Sequence, residues 1–159
     1  MRLFAAVPVP DEVADLLAGL ARPDTEGLRW TTREQWHVTL RFFGDQPDPE
    51  PIRALLPTVA PGTVAALGPV TAWFPGRRVL QIPVTGLEAL AADVRAATAR
   101  WARPDEEPYR GHLTLARSRR RPGPTALAGA AVAAAWPVDS VGLYRSTTAP
   151  TGARYERVG

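Results

Sequence analysis

The chain has no cysteine. That absence excludes a disulfide framework, a thiolate zinc site, an iron–sulfur cluster and a thiol nucleophile together, and it suits a reducing cytoplasm. Lysine is also absent, so all nineteen basic residues are arginine, and histidine occurs only at positions 37 and 112. No apolar run approaches the ~20 residues of a membrane span, and the start Met1-Arg2-Leu3-Phe4 lacks the layout of a signal peptide. Neither a membrane nor an export route is expected. What is present is 159 residues with 45% hydrophobic content, about one compact domain by length and enough to fill a core without staples. The formal charge is only +3, but Arg110, Arg117, Arg119, Arg120 and Arg121 gather in one stretch. Arginine forks match phosphate oxygens and stack on bases, so the cluster points to a nucleotide or nucleic-acid ligand more than the overall charge does.

Four stretches carry helical spacing: residues 11–21, 50–60, 87–101 and an Ala-rich 124–135 that Gly129 interrupts. Strand-like runs lie at 2–8, 28–31, 36–43, 64–73, 78–84, 109–117, 138–145 and 153–158. One offset of 75 residues superposes the two halves: Val7-Pro8-Val9 falls on Ile82-Pro83-Val84, and His37-Val38-Thr39-Leu40 on His112-Leu113-Thr114-Leu115. Two similar β-α-β-α-β lobes are expected, about 1–75 and 76–159, in one domain spanning 1–159. Each lobe alone is too short for a stable core, so they should pack around a cleft along a pseudo-two-fold.

Both histidines open a His-x-Thr-Leu motif. On a strand, His37 and Thr39 share one face while Val38 and Leu40 share the other, and the second copy repeats this. Related by a two-fold, the polar pairs face each other across the cleft. Imidazoles titrate near neutrality, so the pair can act as base and acid on one phosphate, with the Thr39 and Thr114 hydroxyls donating to its non-bridging oxygens. Two imidazoles with no neighbouring carboxylate are too few for a catalytic zinc, so neither metal nor other cofactor is expected. No G-x-S-x-G elbow is present. By strand parity Arg41 joins His37 and Thr39 as a phosphate candidate, and Phe42 belongs to the opposite, core face. For stacking on a base, Phe43, Trp30, Trp36, Tyr109 and Tyr144 are also available.

At these motifs the chain resembles the 2H phosphoesterases, named for paired His-x-Thr sequences, and within them the RNA 2′,3′-cyclic phosphodiesterases also called 2′-5′ RNA ligases. The resemblance runs from Met1-Arg2-Leu3-Phe4-Ala5-Ala6-Val7 through Trp36 to Gly44 and Tyr109 to Arg117. It continues to Val141-Gly142-Leu143-Tyr144-Arg145-Ser146 and Gly152-Ala153-Arg154-Tyr155. It implies an α+β bilobal fold, antiparallel sheets lining a central cleft and helices outside. It also implies metal-independent hydrolysis of an RNA or nucleoside 2′,3′-cyclic phosphate to a 2′-phosphomonoester, by a monomer acting on RNA ends or nucleotides. By position His112 would be the base, His37 the acid and Arg117 a phosphate ligand. Strand parity opposes Arg117, which reaches the cleft only if the strand ends, twists or bulges after Leu115. The family often has Pro before its second motif; Gly111 stands there, and a looser backbone is expected. The same site run in reverse would join ends through a 2′-5′ linkage, and a binding module without catalysis is the remaining reading.

Overall fold

The computed structural model describes residues 1–103, 107–119 and 121–159; Arg120 of the basic stretch lies outside them. It is an α+β structure in which every strand pairing is antiparallel. One sheet has the order β10 (Gly152–Arg157), β9 (Gly142–Ala149), β1 (Arg2–Pro8), β3 (His37–Asp45). The other runs β2 (Leu28–Trp30), β7 (His112–Ser118), β6 (Val79–Thr85), β4 (Val64–Leu67), β8 (Ala134–Pro137), with β5 (Ala72–Trp73) also on β6. The motif strands β3 and β7 therefore sit in different sheets, each beside the first strand of its own half. The halves also exchange strands: β4 of the first pairs with β6 of the second, and β9 of the second pairs with β1 of the first.

Two helices cover the outside. Pro10 stands at the N-cap and the acids Asp11 and Glu12 open α1 (Asp11–Ala18), where the dipole favours them; Val13, Ala14 and Leu17 form its buried face. The repeat-related α3 (Glu88–Ala97) buries Leu90, Ala91 and Val94. The longer helices expected at 50–60 and 124–135 do not form. The first is the single turn α2 (Glu50–Arg53), because Pro57 would set its ring against the Arg53 carbonyl and bias Leu56 away from the α region. The second is one 3-10 turn over Thr125–Leu127; Gly129 leaves it at φ +87°, and Ala134–Pro137 pair with β4 instead. An exposed sheet edge offered more hydrogen bonds than Ala propensity could offset. The core joins both halves, from Leu3, Val7, Val38 and Leu40 to Ile82, Val84, Leu113 and Leu143, all fully buried or nearly so.

Candidate active site

Each motif strand carries a bulge one residue after its threonine. On β7, Thr114 lies opposite Gln81 and Ala116 opposite Leu80, so Leu115 is an extra residue. On β3, Thr39 lies opposite Ala6 and Arg41 opposite Ala5, so Leu40 is extra in the same way, and Phe43 is extra again between Phe42 and Gly44. A bulge inverts the alternation beyond it. Leu115 and Ala116 are thus both buried, and Arg117 returns to the cleft face shared by His112 and Thr114. Leu40 and Arg41 are likewise both buried, and Phe42 returns to the face of His37 and Thr39, 64% exposed. The β7 bulge is stitched from the other half: the Thr31 amide donates to the Leu115 carbonyl at 2.8 Å, and the Thr31 hydroxyl, 2.9 Å from the Thr114 and Leu115 carbonyls, donates between them. On β3 the Tyr109 hydroxyl donates to the Thr39 carbonyl at 3.0 Å.

These turns bring His37, Thr39, His112, Thr114 and Arg117 to one cleft of about 440 Å³. Each imidazole is fixed by the carbonyl two residues before it: His37 Nδ1 is 2.7 Å from the Gln35 oxygen, and His112 Nδ1 is 2.8 Å from the Arg110 oxygen. A carbonyl only accepts, so both Nδ1 atoms carry the proton and both Nε2 atoms hold the lone pair in the neutral ring. The His37 Nε2 accepts from the Thr39 hydroxyl at 2.9 Å. The His112 Nε2 has no hydrogen-bond partner among the described residues. Aromatic walls complete the orientation. Phe4 and Tyr155 lie with ring centroids 4.8 and 5.0 Å from His37, and Phe74 stands edge-on to His112 at 4.8 Å.

Burial dominates the electrostatics. It pushes the His37 imidazole down to about 4 against the upward pull of the Gln35 carbonyl, and the positive charges of His112 and Arg117 lower it further. His112 is lowered for the same reasons, by burial and then by Arg117, with the Arg110 carbonyl opposing. The protein's own groups therefore favour two neutral imidazoles, and an anion placed between the rings would reverse the charge effects and favour proton uptake. Burial also drives the Tyr109 phenol far above its usual value, which keeps it a donor to Thr39.

Arg41 does not join the group. The Leu40 bulge turns it to the back of the sheet, 5% exposed, where its Nη1 donates to the Arg95 carbonyl and the Thr98 hydroxyl, each at 2.9 Å. Phe42 is the converse correction: read as core by simple parity, it faces the cleft. Among the other aromatic candidates, Phe43 and Trp36 are buried, the Trp36 indole donating to Thr31. Tyr144 is stacked on Phe4 at 5.5 Å, and Trp30 donates to the Pro23 carbonyl. Gly111 is not loose. A Cβ there would lie 2.3 Å from the Val84 carbonyl oxygen, while the Gly111 carbonyl accepts from the Val84 amide at 2.9 Å, so the close strand approach itself demands glycine. Gln35, Thr31, Phe4, Phe74 and Tyr155 were not singled out for this role in the sequence. Only the 75-residue offset between the Gln35 and Arg110 carbonyls marks one of their contacts as repeated. Among the described residues, no three His, Asp or Glu side chains gather where they could hold a metal ion, and no helix is long and apolar enough to cross a membrane.

Comparison with known proteins bears on the fold and the family. The chain is similar over its whole length to the crystal structure of TT0787 of Thermus thermophilus, with 30% identity, a TM-score of 0.80 and 96% of that chain covered. It is similar to E. coli LigT in its apo form, at 25% identity and a TM-score of 0.71 over 99% of this chain and 94% of that one. E. coli LigT has also been solved with ATP and with 3′-AMP. A structure described as a phosphoesterase shares the fold at 24% identity and a TM-score of 0.78, covering 99% of this chain and 95% of that one. No curated protein matches the chain. The model of the 2′-5′ RNA ligase superfamily matches residues 9–150, nearly the full length and both histidine motifs. With the bilobal fold and the paired strands facing one cleft, the chain belongs to the 2′-5′ RNA ligase superfamily of 2H phosphoesterases.

Proposed function

We propose that the protein hydrolyses RNA or nucleoside 2′,3′-cyclic phosphates to 2′-phosphomonoesters, without a metal ion. The observation that carries this reading is the pair of imidazoles, each held by its Nδ1 to a carbonyl two residues back, around one cleft with two threonines and an arginine. The free lone pair of His112 Nε2 supports it as the base. It takes a proton from water as the water oxygen attacks phosphorus opposite the 3′ oxygen. The P–O3′ bond breaks, and the 3′ oxygen takes a proton from the His37 imidazolium, leaving the phosphate on the 2′ oxygen. Proton uptake by His37 accompanies binding, because the phosphate anion opposes the burial that keeps the empty site neutral. Thr39 and Thr114 donate to the non-bridging oxygens and Arg117 balances their charge. Phe42, exposed on the same face, supplies a surface for the base.

The exchange of β4 and β9 between halves supports treating 1–159 as one domain. His37, Thr39, His112, Thr114 and Arg117 already share one cleft, so the proposed reaction requires no residue from a second copy and is compatible with a monomer, and a cysteine-free chain suits the cytoplasm. The deciding experiment is incubation of each 2′,3′-cyclic mononucleotide with the protein in excess chelator, with the product identified by chromatography. A 2′-phosphate is expected. A 3′-phosphate, no turnover, or activity that chelator abolishes and a divalent ion restores would overturn the mechanism.

A further inference from the structure

Beyond Arg117 the cleft opens into a second cavity of about 360 Å³, which shares Thr31, Gln35, Arg117, Ala153 and Tyr155 with the first. Its distinguishing residues are arginines from three strand regions: Arg29 on β2, Arg78 just before β6, and Arg119 just after β7. No carboxylate lines it, and among the described residues none of Arg29, Arg78, Arg117 and Arg119 has an acidic partner; Glu26, nearest in sequence, faces Arg121 at 3.6 Å. Arg29 and Arg117 also lie directly opposite each other across the β2–β7 ladder. Like charges so placed repel unless an anion lies between them. Among the described basic residues of the 110–121 stretch, Arg117 and Arg119 line this cavity. Arg110 lines a groove at the other end, with Phe42 and Phe74.

We infer that this cavity is a second phosphate subsite, which takes the 5′-phosphate of the nucleotide whose 2′,3′-cyclic phosphate sits between the histidines, the first phosphodiester of an RNA end. The inference rests on the function proposed above and adds a polarity to it. On ribose the base leaves from C1′ and the 5′ substituent from C4′, at opposite ends of the edge that bears the cyclic phosphate. With that phosphate at His37 and His112 and the base toward Phe42, the 5′ substituent points past Arg117 into the arginine cavity. The guanidinium forks there suit a phosphate diester or monoester and read no base, so they recognise an RNA strand by its backbone.

Binding separates this inference from the catalytic one. Adenosine 2′-monophosphate and adenosine 2′,5′-bisphosphate are titrated calorimetrically into the wild-type protein and an Arg78→Ala/Arg119→Ala variant, at two salt concentrations. The bisphosphate should bind the wild type about tenfold more tightly, the increment should shrink at higher salt, and the variant should bind both ligands equally with unchanged affinity for the monophosphate. Equal affinities in the wild type, or an increment that survives in the variant, would overturn the second subsite whatever the turnover assay shows. A retained increment in a wild-type protein that fails to hydrolyse cyclic phosphates would overturn the catalytic reading alone. The matching kinetic measurement compares nucleoside 2′,3′-cyclic phosphates with and without a 5′-phosphate. The gain in kcat/KM should fall to about one in the variant; a variant equally impaired on both substrates would show the arginines to be structural.

Discussion

The two motif strands, β3 and β7, are the same device with different endings. Both place His and Thr on the cleft face, both carry a bulge at the following leucine, and both anchor the histidine through the carbonyl two residues before it. Beyond the bulge they diverge. The position five residues after the histidine is Phe42 on one strand and Arg117 on the other, and the buried position before it is Arg41 on one and Ala116 on the other. The surroundings of the rings differ as well. His37 packs in a triangle of rings with Phe4 and Tyr155 and has its Nε2 engaged by Thr39, whereas the His112 Nε2 has no hydrogen-bond partner among the described residues. Under the function proposed above, repetition would supply a matched acid and base, and divergence at one repeated position would give the substrate a direction.

If the strands are equal partners in proton transfer, His37→Ala and His112→Ala should each lower turnover at least ~100-fold with the thermal melt little changed. Near-normal turnover in either variant would break the pairing. The divergent position should behave unequally. Arg117→Ala is expected to cut kcat/KM about thirtyfold and alike for all four cyclic nucleotides, since it removes a charge-assisted contact to the phosphate and none to a base. A loss confined to one base would show that Arg117 reads bases.

A third test uses the protein without added ligand. Both imidazoles have folded-state values below the ordinary 6.5, His37 at about 4, so the unfolded chain binds more protons across that window. Stability is therefore full above about pH 6.5 and falls as pH drops toward 4, with a slope of at most ~1.4 kcal/mol per pH unit from each ring. Denaturant melts from pH 7 to 4 should show this slope, and His37→Asn should reduce it. Inorganic phosphate should flatten it as well, by favouring the protonated rings. A slope that His37→Asn leaves intact would place its origin elsewhere. The smallest effect is expected on the other strand: Phe42→Ala should raise KM about fivefold and leave kcat nearly constant, because an exposed ring contributes only stacking. A fall in kcat as large as that of Arg117→Ala would erase the division between base side and phosphate side.

Much of this architecture is legible locally. Short β-forming apolar runs mark β1 and β6, alternation marks the starts of β3 and β7, the spacing of Val13 and Leu17 and of Leu90 and Val94 marks α1 and α3, and the 75-residue offset relates the halves. These signals are short-range, one side chain after another on a strand or a turn. Residues 124–135 show where they fail. Ala-rich sequence there favours a helix, yet Gly129 ends it after a single 3-10 turn at Thr125–Leu127, and the edge of β4 draws Ala134–Pro137 into a strand.

The sequence by itself determined the pairing on which the proposed chemistry rests: the only two histidines, each two residues before a threonine, related by the repeat. Tertiary structure alone decided which neighbours share their cleft. Simple alternation sends Arg41 in and Phe42 and Arg117 out; the bulges at Leu40 and Leu115 reverse all three. A bulge is a property of a pair of strands, because the extra residue exists only relative to the register of the partner. At Leu115 that register is held by β6 and by Thr31, which is 84 residues away along the chain. No local pattern encodes such a contact, so strand alternation could not tell the arginine that lines the cleft from the one that braces the core.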